Sequence, residues 1–394
     1  MALGPGGTFY VADAEADEIL EGQLYRGSPD IVASPELVAQ TIATNGTVVL
    51  QAAVAGTNLA YQWSFNGSPI AGATNSLYMI SPAGSSAAGA YSVAMSNSYY
   101  NLTTPPAQLS VTNTSNPGRL VNLSVNAVAG SGSQLLTVGF YTGGAGTSGS
   151  ETMLVQALGP KLTSLGVAGV MPDPQLTVFN AAQSQIGFNA GWGSPASNQA
   201  AVIAADTATY ATALTDPTSK DSATVIPLAP GGYTIQVGSA SGVTGRTLAA
   251  FYDDTPAGAY TVTTPRLINL SCRLQVAANS SLTAGFYVEG ATSKTVLIRA
   301  NGPALLAQGV TGVMPDPKLT VYDASQNVID FNAGWGGSPT LASIAAAVYA
   351  QPFTNPASKD SEVVLTLPPG GYTAQVASVS NTPGDVMIEV YEVP

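Results

Sequence analysis

One stretch of this chain is written twice, and that repeat constrains the architecture more than any other feature. Gly169-Val-Met-Pro-Asp-Pro-Gln-Leu-Thr-Val178 returns as Gly312-Val-Met-Pro-Asp-Pro-Lys-Leu-Thr-Val321. Phe188-Asn-Ala-Gly-Trp-Gly193 returns unchanged at 331–336, Ser219-Lys-Asp-Ser222 at 358–361, and Gly231-Gly-Tyr-Thr234 at 370–373. The openings agree too, Arg119-Leu-Val-Asn-Leu-Ser124 against Arg266-Leu-Ile-Asn-Leu-Ser271. The offset is 147 at Arg119/Arg266, 143 at Gly169/Gly312 and 139 at Ser219/Ser358, so only short deletions separate the matched blocks. Two copies of one domain are expected, at 115–254 and 266–394, with 255–265 as the linker.

Within each copy the pattern is that of strands. Leu176-Thr-Val-Phe179 and Tyr233-Thr-Ile-Gln-Val237 alternate, and Pro230-Gly-Gly-Tyr233 and Pro369-Gly-Gly-Tyr372 are turns that feed a strand. One helix per copy is expected, within 198–213 and 341–350. Short alternating runs divided by Gly, Pro, Asn and Ser make an eight-stranded β-sandwich the natural architecture of each copy. Asp316-Pro-Lys-Leu-Thr-Val-Tyr-Asp323, Phe331-Asn-Ala-Gly-Trp-Gly336 and Leu367-Pro-Pro-Gly-Gly-Tyr-Thr-Ala-Gln-Val376 resemble the bacterial pre-peptidase C-terminal type of β-sandwich, found in secreted and surface proteins. The resemblance covers over half of each copy and implies a jelly-roll-like module. Some members of that type hold calcium through acidic residues in the turn. Asn189 and Asn332 stand there here, each followed by Ala, so the carboxylates that calcium favours are largely missing.

Residues 31–114 read differently. Tyr61-Gln-Trp63, the hairpin Phe65-Asn-Gly-Ser-Pro-Ile70, Leu77-Tyr-Met-Ile80, Ala88-Gly-Ala-Tyr-Ser-Val93 and Ala107-Gln-Leu-Ser-Val111 follow in order. A Trp on the third strand and a Tyr at the start of the sixth resemble a bacterial immunoglobulin-like domain. That resemblance makes Trp63 a core anchor. It puts the usual disulfide positions near Ala52 and at Val93, so the core is held without a bridge. The fold class is therefore all-β: three tandem sandwiches, one immunoglobulin-like and two jelly-roll-like, behind an N-terminal extended arm over 1–30. A lone strand is unstable in water. The arm's sticky residues Phe9, Tyr10, Val11, Ile19, Leu20, Leu24 and Tyr25 are thus expected to add as strands to a neighbouring copy. Head-to-tail addition of that kind builds filaments.

Chemistry is bounded by what the chain lacks. It has no His, so no Ser-His-Asp triad, Cys-His pair or His-ligated metal can form. The single cysteine, Cys272, allows no intrachain disulfide and reads as a small apolar strand residue. The acids Asp173, Asp206, Asp216 and Asp221 make no convincing glycosidase pair, because only Asp173 and Asp221 recur, as Asp316 and Asp360. The Lys220-Asp221 and Lys359-Asp360 pairs read as local ion pairs or turn caps. Gly143-Gly-Ala-Gly146 lacks the Lys-Ser/Thr of a phosphate loop. No catalytic residue, cofactor or metal is expected.

Charge narrows the partners. Only 9% of residues are charged, and the net charge is −12, with eleven Lys and Arg scattered singly. A nucleic-acid partner would need a basic stripe, and no apolar run approaches the ~18 residues of a membrane span. No signal sequence is visible ahead of Arg26. A leader has been removed, export uses another route, or the chain is not exported. Seven Asn-Xaa-Ser/Thr sequons occur, at Asn45, Asn66, Asn101, Asn113, Asn122, Asn269 and Asn279. The leading expectation is a non-enzymatic extracellular structural protein, a self-assembling subunit of a surface filament or layer. The alternative is a carbohydrate- or matrix-binding module that stacks glycans on Trp192 and Trp335. A phage virion protein is a second alternative.

Overall fold

The computed structural model describes residues 38–52, 58–98, 101–209, 211–256 and 258–394, and the backbone of 2–3, 8–13 and 18–23. The chain divides into two compact units: Met1–Gln40 with Val49–Ile80 and Ser85–Ser110, and Thr41–Val48 with Ser81–Gly84 and Val111–Pro394.

The N-terminal segment is not a lone strand. β1 (Ala2–Leu3), β2 (Thr8–Asp13) and β3 (Glu18–Gln23) pair antiparallel in the order β1-β2-β3. Val11 stands opposite Leu20 and Ala12 opposite Ile19. β2 thus pairs along both of its edges within its own chain.

The immunoglobulin-like part is built from β4 (Gln40–Ala43), β5 (Val48–Gln51), β6 (Ala60–Phe65), β7 (Ser68–Pro69), β8 (Leu77–Ile80), β9 (Gly89–Ser96), β10 (Asn101–Thr103) and β11 (Ala107–Thr112). One sheet runs β4-β11-β9-β6-β7, with β10 also on β9, and the second pairs β5 with β8. The β6–β7 turn works because Asn66 and Gly67 both take positive φ, 48° and 80°, the demand of a type I′ hairpin. Trp63 is fully buried. Its Nε1 donates to the Asn75 carbonyl at 2.9 Å, and its ring stacks on Tyr78. Tyr91 Oη donates to the Ala87 carbonyl at 2.9 Å, tying the corner before β9. Ala52 and Val93 are buried, filling the bridge positions with apolar side chains.

The first copy contains β12 (Arg119–Ala129), β13 (Leu136–Gly143), β14 (Glu151–Leu158), α1 (Pro160–Thr163), β15 (Pro174–Asn180), β16 (Gln185–Asn189), α2 (Ala196–Ala208), β17 (Ser222–Leu228), β18 (Gly231–Ser239) and β19 (Gly245–Asp253). The second contains β20 (Arg266–Val276), β21 (Leu282–Glu289), β22 (Lys294–Asn301), a 3-10 turn (Pro303–Gln308), β23 (Pro317–Asp323), β24 (Val328–Asn332), α3 (Pro339–Ala347), β25 (Ser361–Leu367), β26 (Gly370–Ser378) and β27 (Gly384–Glu392). Each copy has two four-stranded sheets, β12-β19-β14-β17 facing β13-β18-β15-β16, and β20-β27-β22-β25 facing β21-β26-β23-β24. Numbered within a copy this is 1-8-3-6 over 2-7-4-5, the strand order of a jelly roll.

The two jelly rolls share their sheets. β12 of the first copy pairs with β21 of the second over 119–126, and β20 pairs with β13 over 266–272. Leu120 faces Leu267, its own equivalent, where β12 meets β20. The two junctions are the same contact seen from each side, as across a two-fold axis. One hydrophobic core runs through both copies, including Leu123, Phe140 and Phe251 from the first and Leu270, Phe286 and Ile388 from the second. Cys272 lies in it, and burial pushes its thiol up to about 12.

Candidate functional site

The repeated motifs are clips that hold loops to the sheets. The Asp221 carboxylate accepts from the backbone amides of Gly159 (2.7 Å) and Lys161 (3.1 Å) at the start of α1. Asp360 repeats this on Gly302 and Ala304 at 2.7 and 3.1 Å. Gly is required ahead of the clip: a Cβ on Gly159 would stand 2.0 Å from the Met171 carbonyl oxygen. Asp173 accepts from Ser239 Oγ and the Ser241 amide, and Asp316 does so from Ser378 and Ser380. Asn189 Oδ1 joins the Gly191 and Ala223 amides, and Asn332 those of Gly334 and Glu362. The turn-cap reading of Asp221 and Asp360 holds, although the amides they cap lie 56 to 62 residues away in sequence.

Trp192 and Trp335 are parts of the same framework. They are 1% and 7% exposed. Their Nε1 groups donate to the Asp216 carbonyl at 3.0 Å and the Asn355 carbonyl at 2.9 Å. Trp192 packs with Leu154, Val202, Ala205 and Tyr252, between the outer face of one sheet and α2. A stacking platform needs an open ring face, so the expected glycan-stacking role of these two residues is corrected. Of the expected assembly residues, Phe9, Tyr10 and Val11 lie on β2 and Ile19 and Leu20 on β3, while Leu24 and Tyr25 lie outside the described residues.

Buried charge is concentrated where the copies meet. Arg119 lies 3.1 Å from Glu289 and 3.8 Å from Asp253, with its guanidinium over the Tyr260 ring. Its equivalent Arg266 pairs with Glu392 at 2.6 Å, and Lys294 reaches the same carboxylate at 3.1 Å. Burial raises Glu392, but Lys294 and Arg266 outweigh it and hold the group below the usual carboxylate range. Glu151 occupies in the first copy the place of Lys294 in the second. It is fully buried, and neither carboxylate oxygen has a hydrogen-bond partner among the described residues. Burial, with Asp253 adding to it, pushes Glu151 well above the ordinary carboxyl value. A second network lies in the second copy alone. Arg299 bonds Glu389 at 3.0 Å and the Gln351 carbonyl at 2.6 Å, stacks on Phe353, and has Glu362 at 3.4 Å. These charges were missed in sequence. The available signal was an Arg inside an apolar strand, as in Val296-Leu-Ile-Arg-Ala300.

Two surface features stand apart from this framework. A groove of about 1330 Å³ crosses the repeat junction, lined by β12, β13, β18, β20 and β21 and the starts of β19 and β27. The outermost strands β16 and β24 end the longest run of paired strands at opposite sides. They carry the same exposed pair, Ile186 and Phe188 on β16 and Ile329 and Phe331 on β24. Among the described residues no group of three or more His, Cys, Asp or Glu could hold a metal ion, and no helix is long and apolar enough to cross a membrane.

No protein-family model and no curated protein matches the chain. Among solved structures it is similar to immunoglobulin domains 1–4 of Sidekick-1, with 12% identity over 91% of this chain and 72% of that one, at a TM-score of 0.20. It is also similar to the N-terminal Ig1-2 module of the Drosophila receptor protein tyrosine phosphatase DLAR (12% identity, 54% of this chain and 92% of that one, TM-score 0.19). The N-terminal four Ig domains of Dscam1 isoform 7.44 match at 18% identity over 20% of this chain, with a TM-score of 0.18; the match spans 19% of that chain's length. Likenesses this slight carry no argument about function, and the fold rests on the strand order itself.

Proposed function

We propose that this protein is a non-enzymatic extracellular structural subunit, of the bacterial secreted or surface kind, that associates with copies of itself. The observation that carries the reading is the pair of matching edges. Soluble sandwiches commonly blunt their edge strands with charge. β16 instead presents Ile186 and Phe188 with no charged residue in the strand, and β24 presents Ile329 and Phe331 at the other end with a single charge, Asp330, between them. Two like edges on one molecule allow each copy to bind two others, and association of that valency propagates. The N-terminal segment offers a further contact, since the outer edge of β3, which carries Ile19 and Leu20, is unpaired among the described residues.

Light scattering after size exclusion, with negative-stain microscopy, tests this. The intact chain is expected to form concentration-dependent oligomers or filaments. Phe188→Ser with Phe331→Ser should reduce them to single molecules, and deletion of 1–30 should shorten them. A monomer at every concentration overturns the proposal.

A further inference from the structure

The groove over the repeat junction differs from the rest of the second unit in how its polar groups are used. Outside it, Asp173, Asn189, Asp221, Asp316, Asn332 and Asp360 are spent on backbone clips. In the groove, Asn126, Thr137, Thr234, Gln236, Ser271 and Thr283 make no side-chain hydrogen bond among the described residues. They form one array across adjacent strands. Thr137 stands opposite Gln236, Gly139 stands between Thr234 and Ser271, and Asn126 is opposite Thr283. Gly139 keeps the floor open, since a Cβ there would be 2.9 Å from Ser271 Oγ.

The occupant is bounded by chemistry. β13 lies between β18 and β20, β20 between β13 and β27, and β12 between β21 and β19. No backbone edge is free, so a peptide cannot add as a strand. Among the described residues no aromatic ring lines the groove, which removes the base-stacking surface that a single-stranded nucleic acid uses. What remains is a field of amides and hydroxyls, complementary to a polyhydroxylated chain. The groove's charged side chains are Arg246, Arg273 and Asp385, and neither arginine makes an ion pair among the described residues. The lining is thus locally cationic on a chain of net charge −12. Guanidinium forks match carboxylates.

We propose that this groove binds a carboxylate-bearing polysaccharide strand, its hydroxyls taken by the amide and hydroxyl array and its carboxylates by Arg246 and Arg273. The site lies within one chain and does not depend on self-association, so the two proposals fail separately. Calorimetric titration of the full chain with alginate oligosaccharides tests it, with dextran as the neutral counterpart and a single-stranded DNA oligomer as a polyanion control. Alginate is expected to bind, dextran at least tenfold more weakly. The double variant Arg246→Gln with Arg273→Gln should lose at least tenfold in alginate affinity, and Gln236→Ala should also weaken it. Both arginines are exposed, so folding is preserved, and circular dichroism checks it. Absence of alginate binding overturns the proposal. So does alginate binding unmoved by the groove variants, dextran binding equal to alginate, or a preference for DNA.

Discussion

Glu362→Gln should stabilise the protein, and by an amount that grows with pH. The Glu362 carboxyl is 2% exposed and shares Arg299 with Glu389. Burial raises it from 4.5 to about 7, against the pull of Arg299 and with repulsion from Glu389. A carboxyl with a raised folded value stabilises the fold while protonated. That stability is fully present below the unfolded value and is lost as pH climbs to the folded one. Between 4.5 and 7 the unfolded chain ionises first, at about 1.4 kcal/mol per pH unit. Gln copies the protonated shape without titrating. The variant should exceed the parent by about 1 kcal/mol at pH 5 and about 3 kcal/mol at pH 8. Urea unfolding followed by Trp fluorescence reads this. Trp335 lies 5.8 Å from Phe353, the ring on which Arg299 stacks, and reports the local transition. A difference that does not change with pH, or a variant weaker than the parent at pH 8, refutes the reasoning.

Glu151→Gln should behave alike, with its gain over the parent rising above pH 5 in the same unfolding series, because burial raises that carboxyl too. Asp221→Ala and Asp360→Ala should each cost about 2–4 kcal/mol, since each leaves two backbone amides without their acceptor; thermal melting shows it. Trp63→Ala should cost about 3–5 kcal/mol in the first unit, seen as an earlier unfolding step. Cys272, at 1% exposure, should ignore a thiol reagent in native buffer and react once in denaturant.

The parts of the fold that were legible in sequence are the local ones. Trp63, Tyr91 and the Asn66-Gly67 turn announce the immunoglobulin-like sheet pair because each acts on its near neighbours. The helices expected within 198–213 and 341–350 appear as Ala196–Ala208 and Pro339–Ala347. Trp192 and Trp335 misled because a Gly-flanked Trp reads the same whether a distant helix covers it or not. The sharing of sheets was illegible for a related reason. A strand such as Arg119–Ala129 has the same alternation whichever copy supplies its neighbour, and pairing across about 160 residues leaves no mark on period or composition. The groove array was hidden likewise, since Thr137, Gln236, Ser271 and Thr283 are ordinary outward strand residues until the copies are joined.

That joining has a consequence that can be tested by cutting the chain. Both pairings across the junction, β12 with β21 and β13 with β20, are ladders of hydrogen bonds over a common core, and Arg119–Glu289 adds an ion pair between copies. Each copy alone would expose the β12 and β13 edges, or those of β20 and β21, together with Leu120, Leu123, Leu267 and Leu270, all fully buried in the intact chain. Within the linker Tyr260 lies under Arg119, and the Thr263 carbonyl accepts from the Ser148 amide at 2.9 Å. The covalent connection is therefore not what keeps the copies together. A protease site inserted at exposed Gly258 should yield, after cleavage, two fragments that co-elute as one particle with an unchanged circular dichroism spectrum. They should separate only in denaturant. Extended junctions with a continuous apolar core behave as obligate interfaces. If the fragments part at micromolar concentration while staying folded, each jelly roll closes by itself and the shared sheets are a contact rather than the core of the unit.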